Sequence, residues 1–246
     1  MTRLRVFQLR LLASAALLLL VFGIVRLLWY PGAHFAISGA YKQFLVLAGV
    51  VIVIGPVLSA LVYKPGKKGL VFDLAVLTGV ELLAVVAATT LLFLRQPHFA
   101  VFAVDRFEAV AYGEADLSSL PSGIDIRRPG HAPRLIHARM PEDPATVSRL
   151  IDETVLMGMA DIDRRSEFWE PYPSGIPTIK AAARPLADLL EGSEQQRRAA
   201  SDWLESGSKE VSDYIFLPLR GRASDAVIVL DADVGYPVAT LVADPW

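Results

Sequence analysis

Apolar residues run almost unbroken through three stretches of the chain, residues 11–29, 44–62 and 70–94, and thin out to alternating or helical spacings beyond Arg95. Each stretch meets the roughly 20 residues, at a rise of about 1.5 Å apiece, that a helix needs to cross a hydrocarbon layer about 30 Å thick. The pattern predicts a membrane protein: an anchor over residues 1–95 with three transmembrane α-helices, followed by an exported α+β domain over residues 96–246.

Within 96–246 the patterns are short. Residues 98–112 are rich in β-branched and aromatic side chains in partial alternation, which predicts a strand broken at Asp105, and 135–138 predicts another. Asp143-Pro144 opens a helix, because Asp caps free N–H groups and Pro fits the first turn. Val147, Leu150, Ile151 and Val155 follow at helical spacing as far as Gly158. Pro171, Pro173, Ser174, Gly175 and Pro177 mark an irregular connection. A short helix over 185–191 precedes Ser193 and Gln196, whose capping-box spacing predicts a helix to Leu204 that stops near Gly207. The last strands are 214–219 and a hairpin pair, 226–230 and 238–242, turning through Gly235.

Charge gives the predicted helices a direction. Arg3, Arg5 and Arg10 precede the first stretch and Lys64, Lys67 and Lys68 fill the loop before the third, whereas the loop over 30–43 holds only Lys42. The positive-inside rule puts both basic clusters in the cytoplasm, and an odd number of crossings puts the C-terminal domain on the far side. Nine of the 24 Lys and Arg but only two of the 26 Asp and Glu precede position 96, leaving 15 basic against 24 acidic residues, a balance of −9, for the domain. An acidic domain of this kind is a poor nucleic-acid binder. The first apolar stretch is longer than the core of a usual signal peptide and contains Arg26, so it reads as an anchor. With no Cys, the domain holds itself together without disulfides.

Glu81 is the most informative residue of the anchor. A charge at mid-bilayer costs on the order of 2.5–3.5 kcal/mol, so this carboxylate is expected to face another helix. Arg26 lies about 15 residues into the first stretch and Glu81 about 11 into the third, and at ~1.5 Å per residue their depths differ by roughly 6 Å, within reach of an Arg side chain. Gly55-Pro56 interrupts the second stretch, Pro removing a backbone donor. Gly55 and Ser59, like Ala75 and Gly79, have the spacing of small residues that lets helices approach closely, within the anchor or toward a partner helix. Asp73, beside Lys67 and Lys68, is expected to form a surface ion pair or to occupy a helix N-terminus.

Candidate chemistry is thin elsewhere. His34, His98, His131 and His137 share no metal-ligand spacing; His34 and His98 read as interfacial polar residues and His131 as a loop residue. Ser206 and Lys209 match S-x-x-K, but after a helix stop and without a companion KTG, so a solvated linker is the better reading. Asp225, Asp231 and Asp233 lack the glycine and terminal Glu of an EF-hand and read as a hairpin turn. The expectation is a protein with no catalytic residue, no metal and no cofactor.

Several strings, in order along the chain, complete the reading. They are Trp29-Tyr30-Pro31, Gly55-Pro56-Val57-Leu58, Lys64-Pro65 through Lys67-Lys68 into Phe72-Asp73-Leu74, Val104-Asp105-Arg106-Phe107, Leu217-Pro218-Leu219-Arg220-Gly221-Arg222 and the terminal Pro245-Trp246. Their ordered combination resembles the TfpX/TfpZ-like family of type IV pilin accessory proteins. The resemblance implies a bacterial inner-membrane protein that assists a pilin subunit in stability and pilus assembly as a chaperone, not an enzyme. Its partners would be the pilin, through both membrane helix and head, and membrane lipids. It makes Asp105, Arg106, Phe107, Arg220, Gly221 and Arg222 the family-motif positions of the exported domain. The alternative is a membrane-anchored ligand-sensing protein with a periplasmic binding domain, weakened by the lack of a cytoplasmic output domain.

Overall fold

The computed structural model describes residues 2–207 and 210–246. It divides into two compact units, Met1–Trp29 with Ala40–Leu94, and Tyr30–Gly39 with Arg95–Trp246. The boundary differs from the predicted break at residue 95 in one respect: the loop between the first two apolar helices belongs to the C-terminal unit.

In the first unit, α1 (Arg3–Ile24) continues into a π-helical segment, Val25–Trp29. After the loop, with its single turn α2 (His34–Ile37), come α3 (Ala40–Gly49), a second π-segment, Val50–Ile54, and α4 (Gly55–Val62). α5 (Leu70–Leu94) closes the unit. The continuous helical stretches of 27, 23 and 25 residues are long and apolar enough to cross a membrane. Two of them begin earlier than the apolar runs, at Arg3 and Ala40, because an apolar criterion ends a span at its first charge whereas Arg and Lys are good helix formers. Thr2 caps α1 by accepting from the Arg5 N–H at 3.3 Å. The second π-segment ends where Pro56, which has no N–H to donate, enters the first turn of α4, and a register shift absorbs the missing bond.

The second unit is built on a mixed sheet. Its strands are β1 (Pro97–Ala103), β2 (Arg106–Ala111), β3 (Arg134–Ala138), β4 (Trp169–Pro171), β5 (Arg184–Pro185), β6 (Tyr214–Arg220), β7 (Asp225–Asp231) and β8 (Pro237–Leu241). The order is β4-β3-β1-β2-β6-β7-β8; β1 with β3 and β2 with β6 are parallel, the other pairs antiparallel. One edge of β6 is shared, β2 pairing at Leu219 and Arg220 and β5 at Ile215 and Phe216. The strand expected over 98–112 is the β1–β2 hairpin, broken at Val104-Asp105, where Val104 holds φ +60°, an unfavourable conformation for a β-branched residue.

Successive strand residues point to opposite faces. On one face Ala100, Phe102, Phe107, Leu217, Leu219 and Ile228 pack under α7 (Tyr172–Ala182) and under Ala33 and Ile37 of the loop. On the other, Phe99, Val101, Val110 and Ile136 pack against Leu150 of α6 (Pro144–Val155), Ile162 and Trp169, while Phe216, Val227 and Val229 pack under α8 (Ala187–Glu191) and α9 (Glu194–Glu205). Asp143 caps α6, and Ser193 with Gln196 forms the capping box of α9, as the spacings predict. The expected irregular connection around Pro171–Pro177 is instead the helix α7. Pro173 occupies the first turn, where its missing donor costs nothing, Pro177 lies inside, and Gly175 lets the helix settle onto His137, whose ring a Cβ there would strike.

The loop is fastened by main chain. The Ile37 carbonyl accepts from the Ala223 N–H at 2.7 Å and from the Ser224 N–H at 3.3 Å, and Ile37 is fully buried. Gly221 makes the fit possible, since a Cβ there would lie 2.5 Å from both Ile37 Cβ and the Ile37 carbonyl oxygen. Gly221→Ala is therefore expected to lower the domain's stability by about 1–3 kcal/mol, the usual cost of overpacking, and to raise protease cleavage within residues 30–39. An unchanged melting curve and digestion pattern would refute this fastening.

Candidate functional site

A buried polar cluster of the helical unit centres on Glu81. Its side chain is 9% exposed; Oε2 lies 3.2 Å from Arg10 Nη2, and Oε1 accepts from the Ser14 hydroxyl at 2.6 Å. Arg10 Nε donates in turn to Ser59 Oγ at 3.0 Å. Arg10 and Ser14 stand one turn apart on α1, Ser59 is wholly buried on α4 and Glu81 comes from α5, so four side chains tie the three helices. Gly55 supplies the room, because a Cβ there would lie 2.8 Å from Glu81 Oε2.

Of the two kinds of partner expected for Glu81, Arg26 or groups on neighbouring helices, the contacts are to Arg10 and Ser14 of α1; Arg26 lies 12 residues beyond Ser14, about 18 Å farther along the helix. Arg10 precedes the apolar run and so reads from the sequence as one of the cytoplasmic flanking charges. The signal was the Arg10/Ser14 spacing, which aims two polar groups along one face. Asp73 behaves as anticipated, 2.6 Å from Lys67 across the loop that starts α5. Pro56 is buried at the start of α4. The two small-residue pairs differ: Gly55 and Ser59 serve the Glu81 cluster, whereas Ala75 is exposed and a Cβ on Gly79 would meet open space.

In the sheet domain the motif positions converge on the adjoining ends of β2 and β6. Arg106 Nε donates to Glu108 Oε1 at 2.8 Å and its Nη1 to Asp105 at 3.0 Å, and Arg220 lies 3.8 Å from the same Glu108 oxygen. Arg222 pairs with Glu114, Phe107 is a core residue and Gly221 is the contact point for Ile37. Asp163, buried in a 3-10 turn that packs over β1 and β2 and 2.7 Å from Arg164, adds a second carboxylate. Burial pushes the Asp163 carboxyl up to about 6, with Arg164 opposing and Glu108 assisting. Neither Glu108 nor Asp163 was legible as a site residue; each is a lone acid in a segment read for its apolar neighbours.

His34, expected at an interface, is buried in the domain, and burial with the nearby Arg128 charge holds its pKa down to about 4. Asp231 Oδ1 accepts from the Asp233 and Val234 N–H groups at 2.9 Å, the turn anticipated in place of a calcium loop. Ser206 ends α9 and donates to the Trp203 carbonyl at 2.7 Å; Lys209 lies outside the described residues.

A helical unit of three long apolar segments followed by an α+β sheet domain defines the class of the chain. Among characterised proteins it is similar to the fimbrial assembly protein of serogroup I from Dichelobacter nodosus, 25% identical over 234 residues, 93% of this chain and 90% of the relative. The serogroup E1 protein of that organism matches with the same identity and coverage, and the protein of serogroups C1 and C2 is 27% identical over 112 residues, 45% of this chain and 86% of the relative. No protein-family model and no solved structure matches.

Two predictions follow the geometry. Gly55→Ala should lower the stability of the detergent-solubilised protein by about 1–3 kcal/mol by displacing the Glu81 carboxylate, whereas Gly79→Ala, in open space inside a helix, should leave it unchanged or raise it slightly; equal midpoints for the two variants would refute the cluster as described.

The second concerns pH. Between about 4 and its ordinary 6.5, His34 is protonated when unfolded but not when folded, so its contribution to stability falls as pH drops through that window. Asp163 has the opposite sign: between 3.8 and about 6 the folded protein keeps a proton that the unfolded chain loses, and stability falls as pH rises. In denaturant melts from pH 4 to 6.5, His34→Gln should flatten the upward slope of stability and Asp163→Asn should steepen it.

Proposed function

We propose that this chain is a membrane-anchored accessory protein of type IV pilus assembly that holds a pilin subunit as a chaperone before its incorporation. The carrying observation is coextensive similarity: the relatives described as fimbrial assembly proteins align over 93% of the chain, through both the apolar helices and the sheet domain. In this reading the three helices cross the bacterial inner membrane and contact its lipids, with the N-terminus cytoplasmic and the sheet domain periplasmic.

The fold supports that topology by a route independent of charge. Tyr30–Gly39 and Arg95–Trp246 form one folded body, so the loop after the first helix and everything after the third share a side of any membrane the helices cross. Three crossings require this. The same acidic domain is suited to meet a pilin head, while α5, with only Val85 and Leu92 buried, has apolar surface left for the pilin's helix. The Glu81 cluster then serves to fold the anchor, and the pilin is met by the open face carrying Ala75 and Gly79.

A reporter active only outside the cytoplasm should work when fused after Trp246 and fail when fused after Lys68. Tagged protein should co-purify pilin from detergent extracts. Gly79→Leu should reduce that recovery at unchanged abundance, whereas Glu81→Leu should reduce abundance and Glu81→Gln should do so less, since the amide keeps the bond to Ser14. A C-terminal reporter active in the cytoplasm, or wild-type protein that never retains pilin, would end this proposal.

A further inference from the structure

The C-terminal half of α6 carries an apolar surface that the domain does not cover. The helical spacing of Val147, Leu150, Ile151 and Val155 encodes a stripe of the kind a helix turns toward a core, yet of α6 only Leu150 is buried. Ile151 and Val155, one turn apart, are exposed, and so are Leu156, Met157 and Met159 beyond them, each between 48% and 76%. Backbone bonds gather these residues at the helix end. The Leu156 and Met157 N–H groups donate to the Asp152 carbonyl at 2.9 and 3.3 Å, and Gly158, at φ +67°, turns the chain back so that the Met159 N–H reaches the Glu153 carbonyl at 3.0 Å. Five such side chains make a patch on the order of a few hundred Å², the scale at which exposed apolar surface marks an interaction site. The two methionines, unbranched and flexible, suit it to the uneven surface of a partner.

Charge beside the patch decides what covers it. The nearby arginines are all engaged within the domain: Arg149 and Arg165 pair with Glu153, and Arg164 with Asp163. Asp152 and Asp161 are exposed and form no ion pair among the described residues. Asp152 stands one turn from Val155 and Leu156, and Asp161 follows Met159 by two residues, so the patch has an acidic edge. Such an edge is repelled by an anionic lipid surface. A second copy packed about a two-fold axis would set the same carboxylates against each other. A protein surface with an apolar centre and Lys or Arg at its margin matches both parts of the patch.

We propose that this end of α6 is the surface by which the sheet domain holds the pilin head, an apolar hollow of the pilin edged by Lys or Arg closing over Met157, a contact that rests on the role in pilus assembly proposed above. The one amphipathic stripe of α6 is then divided between two tasks. Leu150 anchors the helix to its own domain, and the residues from Ile151 onward serve the partner.

The test places a photo-crosslinking amino acid at position 157 of the full chain in cells that make pilin. Val238, exposed on the edge strand β8 at the far side of the sheet, is the control position. Position 157 should crosslink to the pilin head and position 238 should not. Leu156→Ser combined with Met157→Ser, at two exposed positions, should leave the melting midpoint unchanged and lower pilin recovery about tenfold, the scale of losing an anchor at the centre of an interface. Asp152→Lys should lower recovery several-fold at low salt and less as salt rises, because charge at an interface margin steers encounter and is screened. Crosslinks from position 157 only to lipid or to a second copy, equal pilin crosslinking from both positions, recovery that survives the double substitution, or recovery raised by Asp152→Lys overturns the proposal. If the wild type retains pilin in that event, the role in pilus assembly stands and only the contact surface is wrong; wild-type protein that retains no pilin ends both. The crosslinking result does not depend on the serine or lysine variants folding.

Discussion

The Ile37 carbonyl is the fixed point of the sheet domain's organisation. A ten-residue loop joining two long apolar helices would ordinarily be solvated, its backbone groups satisfied by water. Here Tyr30, Ala33 and Ile37 are each no more than 1% exposed, and two main-chain donors from the β6–β7 turn converge on one carbonyl oxygen. A backbone that binds backbone in this way tolerates little variation in distance. Gly221 sits opposite because no larger residue allows the approach, and one sheet face would lose the cover of Ala33 and Ile37 without the loop. The loop thereby becomes a structural element of a domain to which it is only distantly linked in sequence.

Charge buried in the helical unit is likewise held by close pairing. Arg10, Ser14, Ser59 and Glu81 pair with one another across three helices, and each contact offsets part of the cost of placing a polar group in an apolar surround. A buried pair of this type is weak evidence of net stability, yet breaking it is costly, because removing either partner leaves the other uncompensated. It fixes which faces of α1, α4 and α5 meet. The open side of Gly79 is left over from that choice.

Much of this was legible in the chain. The three apolar segments, the β1–β2 break at Asp105, both capped helices and the final hairpin follow from local pattern, because each depends on contacts within a few residues. Glu81 is recognisable from the sequence as a residue that needs a partner on another helix, but the sequence does not single out Arg10 over Arg26. Apolarity alone places the first helix at residue 11, and only a helix that starts at Arg3 brings Arg10 level with Glu81. The helix α7 was missed for a related reason: two prolines and a glycine read as breakers unless the position of each within the helix, and the His137 ring beneath Gly175, are known. The burial of residues 30–39 depends on a pairing nearly two hundred residues away in the chain and leaves no local trace.

Glycine at its contact points shows how the two units share one device. Gly55 against Glu81, Gly175 against His137, Gly221 against Ile37 and Gly32 against Thr240 each mark a place where backbone must lie directly on another group. In each case the missing Cβ buys distance, and the neighbour that fills the space is polar or is itself backbone. Close approach of this kind converts weak, long contacts into short hydrogen bonds or tight packing, and it concentrates the tolerance of the fold into a few positions. Sites of that character are where a partner or ligand gains most leverage. A shift of a few tenths of an ångström at Gly32 or Gly221 alters the seating of the whole loop, whereas the same shift on the open face of α5 alters nothing within the chain.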